Sequence, residues 1–380
     1  MNTNQTTSEL VHQHAWNTIT HSNRRINKIL INLYGSFEKA WKEIDQKSLE
    51  QLSKIPDLAR KKSQIDPHKN WKKFCDMYQD IHLISLSSPS YPPYLKHLSE
   101  PPQGLYIQGN YDPSVFIYAK FLSIVGTRQP SPYGVLQTQK LVQHFSSHDI
   151  IIVSGLADGI DSVAHESALL EDIPTWAVIG HGHAHLRETK FNLVSQILKN
   201  GCIISEYPPE TPPERFRFPE RNRIIAGISP VTVVTEAPEN SGANITAKIA
   251  REENREVFAI TADIDRHDCQ GNLDLIETNI ATPLTSYKPL EEALKLETIT
   301  EAPAKKYPKS IAKSPTNSVP KFKDEILNII VRSLTYKHAT TVSEIMEKGK
   351  VRDVSLILEK LTLLEIDGVV ESIGSGYRLI

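Results

Sequence analysis

Three glycine-bearing turns and one arginine-rich segment hold the residues whose types and spacing could do chemistry. Gly126-Thr127-Arg128 follows the apolar pair Ile124-Val125; Ser154-Gly155, with Gly159 close behind, follows an apolar run over 150–153; Ser241-Gly242 opens a helical pattern that carries Thr246. A glycine where a strand turns into a helix can leave backbone N–H groups bare, and a helix N-terminus adds positive potential, so each turn suits an anion. Arg128 can lend a planar, doubly donating cation to a phosphate. Pro130 and Pro132 stiffen the loop that presents it. The fourth element is Arg215-Phe216-Arg217-Phe218-Pro219-Glu220-Arg221-Asn222-Arg223. Arginines interleaved with aromatics supply phosphate contacts and stacking faces together, as single-stranded nucleic acid requires. A solvated charged loop is the plainer alternative, but Phe216 and Phe218 would gain nothing in one.

Groups with acid–base or metal chemistry are fewer and less well arranged. Asp161 falls in the first turn of a helical pattern, where a carboxylate capping free N–H groups is commoner than a catalytic one. His165, on the same helix, reads as a packed histidine rather than a base. Glu236 follows a strand over 231–235, where an enzyme would place a general acid or base; no partner base, nucleophile or metal set accompanies it, so binding loop N–H groups is the expected job. His181, His183 and His185 would share one face if extended, but Glu188 is the only acid nearby and no cysteine completes a ligand set, so no metal is expected. The same turn lacks the third glycine of a dinucleotide fingerprint, which argues against a nicotinamide cofactor, and no glycine loop ends in the Gly-Lys-Ser/Thr of a Walker-type ATP site. No catalytic residue, metal or cofactor is assigned.

The elements that must position these residues are strands and helices in alternation. Each apolar run leads into a glycine and then into an amphipathic helical pattern, which predicts βαβ units, with further strands over 175–179 and 257–260. In a parallel sheet the carboxyl ends of the strands share one edge, so the glycine turns should line up as one anion-binding crevice. The fold class expected is α/β: an extended Rossmann-like domain with a mainly parallel sheet over 81–298, a helical N-terminal domain over 1–80, a Pro-, Lys- and Ser-rich linker over 299–321, and a C-terminal winged helix over 322–380. In the N-terminal part, Ile26, Leu30 and Leu33, then Phe37, Trp41 and Ile44, recur at helical spacing around a Tyr34-Gly35-Ser36 turn. The net charge of −2 and isoelectric point near 6.7 give no global basic signature, so any nucleic-acid contact must come from local arginine and lysine. Cys75, Cys202 and Cys269 are isolated, which argues for a reducing compartment. The polar N-terminus and the absence of a long apolar run predict a cytoplasmic protein with no membrane contact.

Four blocks in order, SIVGTRQPSPYG, IVSGLADGIDSVAHESAL, ISEYPPETPPERFRFPERNRIIAGIS and EAPENSGANITAKIA, resemble the DprA/Smf family, bacterial DNA-processing proteins of natural transformation. The resemblance implies a domain that binds single-stranded DNA, protects it, dimerises and delivers RecA onto it. By resemblance Arg221, Asn222 and Arg223 belong to the family's Arg-Asn-Arg signature, and Lys190 lies close enough to serve the same crevice. The chain departs from the family pattern in several places, among them Thr261-Ala262 for the usual Pro-Gly and Asn279-Ile280 for Gly-Ala. Asp158 stands where the family often has a basic residue, setting a carboxylate near the phosphate site and implying weaker or differently placed DNA contact. Leu186-Arg187 stands where a glycine-rich turn and a Tyr-Pro pair are usual. In the N-terminal domain, residues 19–25 lack the glycine of a DNA-binding hairpin, which favours packing or partner contact. The last winged-helix helix mixes Arg352 and Lys360 with Asp353, Glu359 and Glu365, so duplex reading is weak and protein contact or regulation stands beside it. The function expected is that of a non-enzymatic single-strand binder whose phosphate sites are Gly126, Thr127, Arg128, Ser154, Gly155, Gly159, Lys190, Ser241, Gly242 and the arginines near Asn222, with Phe216 or Phe218 stacking on bases. The rival is an enzyme or sensor that uses the crevice for a nucleotide or nucleotide-sugar phosphate.

Overall fold

The computed structural model of the chain describes residues 3–45, 47–49, 57–186, 190–296, 330, 333–334, 340–349, 354–366, 370–373 and 376–379. The expected linker over 299–321, Arg187, Glu188, Arg352 and Asp353 lie outside them. The chain divides into two compact units, Met1–Ala302 and Pro303–Ile380.

In the first unit, strands β1 (Ile81–Ser85), β2 (Gly104–Gly109), β3 (Lys120–Val125), β4 (Ile150–Ser154), β5 (Thr175–Ile179), β6 (Cys202–Ser205), β7 (Val231–Val234), β8 (Glu256–Ile260) and β9 (Thr282–Leu284) form one sheet in the order β1-β2-β6-β5-β4-β3-β7-β8-β9. From β6 to β9 every pairing is parallel; β1 and β2 extend that edge antiparallel. β4 and β5 are buried along their whole length, as the continuous apolar runs of a sheet covered on both faces demand. Side chains alternate between two cores: Phe121 and Val125 join Val153, Trp176 and Val178 on one face, while Leu122 and Ile124 join Leu141, Phe145 and Ile152 on the other. The chain winds outward from β3 through β4 and β5 to β6, then returns along helix Arg217–Ile228 to β7, on the other side of β3. That reversal makes the carboxyl ends of β3 and β7 a topological switch point, where open α/β sheets take their ligands.

Helices Thr3–Thr20, Arg24–Tyr34, Phe37–Glu43, Leu58–Gln64 and Pro67–Met77 enclose a core of their own around Trp16, Ile19, Ile26, Leu30 and Phe37. Gly35 ends the second helix in the left-handed region at φ 78°, and Ser36 caps the next by accepting from Lys39 N. Leu33, expected in this core, is 64% exposed: the buried stripe runs through Ile26, Asn27 and Leu30, and Leu33 falls beyond its edge. These helices abut the sheet edge, where His14 Nδ1 lies 2.9 Å from the Tyr106 hydroxyl and Arg24 pairs with Glu100 and Glu220.

In the second unit, helices Val342–Gly349 and Val354–Ile366 precede an antiparallel pair, Val370–Ile373 with Gly376–Leu379, to which Thr340–Thr341 adds a third strand. Ile345, Ile357, Leu361, Leu364 and Val370 form its core. Helices followed by a hairpin are the order of a winged helix. Among the described residues no helix is long and apolar enough to cross a membrane.

Candidate nucleic-acid crevice

The floor of the switch point is closed by backbone. A Cβ on Gly126 would stand 2.6 Å from Ile160 Cγ1 and 2.8 Å from Glu236 O, so the segments after β3, β4 and β7 converge only around a glycine. The Thr127 N–H donates to Glu236 O at 2.7 Å and Ile160 N–H to Thr127 O at 3.0 Å. Gly159 adopts φ +79°, and a Cβ there would lie 2.4 Å from Thr127 O. These turns are stitched to one another, so the Thr127 N–H is engaged rather than bare. Glu236 is wholly buried and accepts from Ser131 N at 2.8 Å and from the Ser131 hydroxyl, with Gly134 packed on its carboxylate. It holds loop N–H groups, and the loop it anchors carries Arg128.

The arginine segment splits into internal and external members. Arg217, Arg221 and Arg223 are all buried. Arg221 Nη1 donates to Gly155 O at 2.7 Å and Val178 O at 2.6 Å, tying the ends of β4 and β5 together, and its charge faces Asp161, whose pKa burial raises and Arg221 opposes. Gly155 is what admits it: a Cβ would stand 1.9 Å from Arg221 Nη1. Arg223 Nη2 is 2.6 Å from each carboxylate oxygen of Glu206, a buried pair that lines neither hollow described below. The expected phosphate role of Arg223 is therefore corrected to an internal one. Ser154 needs the same correction: it is fully buried, and its hydroxyl donates to Ile124 O at 2.7 Å, holding β4 to β3. An arginine or serine pattern does not reveal which members the packing will turn inward.

The remaining residues surround open space. A cavity of about 560 Å³ is floored by Val125 to Arg128 and walled by Phe218, Arg221 and Asn222 on one side and Ser241, Gly242 and Thr246 on the other. A second hollow of about 170 Å³ is lined by Gly155, Asp158, Gly180, His181 and Lys190, and the two share Arg128, Ala157, Phe218 and Arg221. At their common wall the exposed Arg128 holds its guanidinium 5.8 Å from the centre of the Phe218 ring. Ser241 caps helix Gly242–Glu252 by accepting from Ala243 N, and Gly242 is exposed with open space where a Cβ would be. Lys190 lines the smaller hollow, paired with Asp158 at 3.0 Å. Phe216 is 56% exposed and lines neither hollow; its ring lies 5.2 Å from the Arg217 guanidinium. Arg215 and Ile245 also line the larger cavity. Arg215 belongs to the arginine-rich segment with nothing in sequence to set it apart from the other arginines, and nothing marks Ile245 apart from its place one turn into that helix.

The histidines are otherwise engaged. His165 is fully buried beside Thr175 Oγ1 at 2.7 Å, and burial lowers its pKa to about 3. His183 bonds Ile203 O, His185 bonds Glu210 O and His181 Nδ1 lies 2.9 Å from Gly182 O. A tight turn over His183–His185 replaces the extended run that would have aligned them.

A doubly wound α/β sheet whose glycine turns, an exposed arginine and a helix N-terminus meet at its switch point defines a Rossmann-like protein with an open crevice at that edge. The chain belongs to the DprA/Smf family: the family model described as DNA recombination-mediator protein A matches residues 82–295. It is 37% identical to the DNA processing protein DprA of Bacillus subtilis over 201 residues, 52% of this chain and 67% of that one. The X-ray structure of DNA processing protein A from Streptococcus pneumoniae is similar at 29% identity and a TM-score of 0.62, covering 73% of this chain and 96% of that one. A structure of DNA processing protein A from Helicobacter pylori, described in terms of its single-stranded DNA binding mode, is similar at 26% identity and a TM-score of 0.50, over 56% of this chain and 96% of that one.

Proposed function

We propose that this chain is a DNA-processing protein of natural transformation that binds single-stranded DNA along the carboxyl edge of its sheet. The observation that carries this reading is Arg128, exposed with its guanidinium 5.8 Å from the centre of the Phe218 ring at the wall shared by the two hollows. A strand crossing from one hollow to the other passes a cation for its phosphate and an aromatic face for its base. A base can use that face only when unpaired, which favours single strand over duplex. The helix end at Ser241-Gly242 gives a further phosphate its partial positive charge. Asn222 lines the same path, and Gly126, Thr127, Gly155 and Gly159 shape it. The role is one of binding rather than catalysis: Glu236, Asp161 and His165, three acid–base groups beside the crevice, are each spent on internal contacts. Kinship to the family supports extending the role to a dimer that protects incoming DNA and delivers RecA onto it.

The test is fluorescence anisotropy of labelled oligo-dT and of the matching duplex across a salt series. Salt-sensitive binding that prefers the single strand and weakens about tenfold in Arg128→Ala is expected, the loss of one charged hydrogen bond. If neither nucleic acid binds while a mononucleotide raises the melting temperature, the crevice is a nucleotide site of an enzyme or sensor instead. Delivery of RecA is refuted if the protein binds strand yet leaves RecA nucleation on strand coated with single-strand-binding protein unchanged.

A further inference from the structure

Lys190 stands at the head of helix Phe191–Asn200, and its ammonium is fully engaged. Nζ donates to Leu156 O at 3.1 Å and to Ser162 Oγ at 2.7 Å, and Asp158 Oδ1 lies 3.0 Å away. An ammonium has three N–H donors, so these three partners occupy all of them. The partners are not equivalent. Leu156 O is backbone, and Ser162 Oγ is itself fixed by donating to Ala157 O at 2.8 Å. Asp158 is a side chain at a loop, 56% exposed, and it lines the same hollow as Lys190 and Arg128. Of the three partners it is the solvent-exposed side chain.

We propose that Asp158 is an internal stand-in for a phosphate, and that it makes the Lys190 subsite selective for a strand over a free phosphate or mononucleotide. The inference rests on the single-strand reading above. Carboxylate and phosphate oxygens offer an ammonium the same kind of charged acceptor. The carboxylate is tethered, so it competes at the high effective concentration of an intramolecular group, whereas a free phosphate competes only at its bulk concentration. A strand already held at Arg128 is tethered too. Its neighbouring phosphate meets Asp158 on equal terms and can displace it. Asp158 thereby lowers affinity for every anion but penalises the unanchored ones most.

Wild type, Asp158→Asn, Asp158→Ala, Lys190→Met and the Asp158→Asn/Lys190→Met double variant of the full chain test this. Anisotropy on labelled oligo-dT in a salt series is read beside the thermal shift produced by inorganic phosphate and by thymidine monophosphate. Both Asp158 variants should bind oligo-dT about two- to fivefold more tightly, the range one exposed ion pair supports. Their log–log salt dependence should steepen by at most about 0.7, because the Lys190 contact that wild type makes only part of the time becomes complete. Phosphate and thymidine monophosphate should stabilise these variants more than wild type, and Lys190→Met should cancel every gain. Unchanged affinity in Asp158→Asn overturns the proposal, as does an equal gain on the Lys190→Met background, where removal of any negative charge would suffice. A gain in Asp158→Ala alone would overturn it too, since loop geometry rather than charge would then be responsible. Wild type that binds strand with an indifferent Asp158→Asn strikes this inference alone; wild type that binds no strand strikes the single-strand reading and this inference with it.

Discussion

Gly155→Ala should unfold the crevice from within. The added methyl would stand 1.9 Å from Arg221 Nη1, 2.6 Å from Arg221 Cζ and 2.6 Å from Asp161 Oδ2. No small shift relieves such overlap, because Arg221 is pinned by its bonds to Gly155 O and Val178 O and its side chain is buried. The guanidinium must leave, and Asp161 then keeps a buried carboxylate without its counter-charge. Leaving Gly155 O and Val178 O without their donor costs about 1–3 kcal/mol each, and Asp161 also loses the nearby charge that opposes its burial. The assay is equilibrium unfolding of the full chain in urea, followed by tryptophan fluorescence, to which Trp176, buried in strand β5, contributes beside Trp16, Trp41 and Trp71. Arg221→Met supplies the comparison. Once Arg221 is gone the closest overlap is relieved and only the Asp161 carboxylate, 2.6 Å away, must shift, so Gly155→Ala should cost at least about 1 kcal/mol less on that background, a non-additivity between touching residues. Equal cost on both backgrounds, or a loss below about 1 kcal/mol in the single variant, would refute the view that Gly155 exists to admit Arg221.

Three further outcomes are expected. Phe218→Ala should weaken oligo-dT binding by about 1–3 kcal/mol, the worth of one stacked base, and Phe216→Ala by clearly less because Phe216 lines neither hollow; anisotropy on both variants checks the order. Arg223→Ala should lower stability by about 3–5 kcal/mol through the orphaned Glu206 while leaving the salt slope of DNA binding unchanged, which separates an internal arginine from a phosphate contact. His165 titrates near 6.5 when unfolded and at about 3 when folded, because burial and then the charges of Lys190 and Arg221 disfavour the cation. The unfolded chain therefore takes up the proton first, so this contribution is complete above pH 6.5 and lost as pH falls towards 3. At pH 5 the loss is about 2 kcal/mol, and His165→Gln should flatten the stability–pH curve between pH 6.5 and 5 by about that amount.

Whatever depends on a residue and its near neighbours can be read along the chain. The alternation of apolar runs, glycines and amphipathic patterns specified the βαβ order, because period and turn chemistry are local properties of the backbone. Gly126 and Gly159 were legible as turn residues for the same reason, and Glu236 as a ligand for loop N–H groups because it ends a strand with no catalytic partner near it in sequence. Which polar groups face inward is set by packing. Ser154, Arg221 and Arg223 carry the same labels as surface residues do, and their burial follows from β4 lying between two covered faces and from helix Arg217–Ile228 closing on the sheet. Leu33 shows the converse, an apolar residue at the right spacing left outside because the stripe beside it filled the available contact. The two hollows, the Arg128–Phe218 contact between them and the Asp158–Lys190 pair join segments far apart along the chain. Such juxtapositions are set by how strands order themselves around the switch point, a packing outcome that no local pattern encodes.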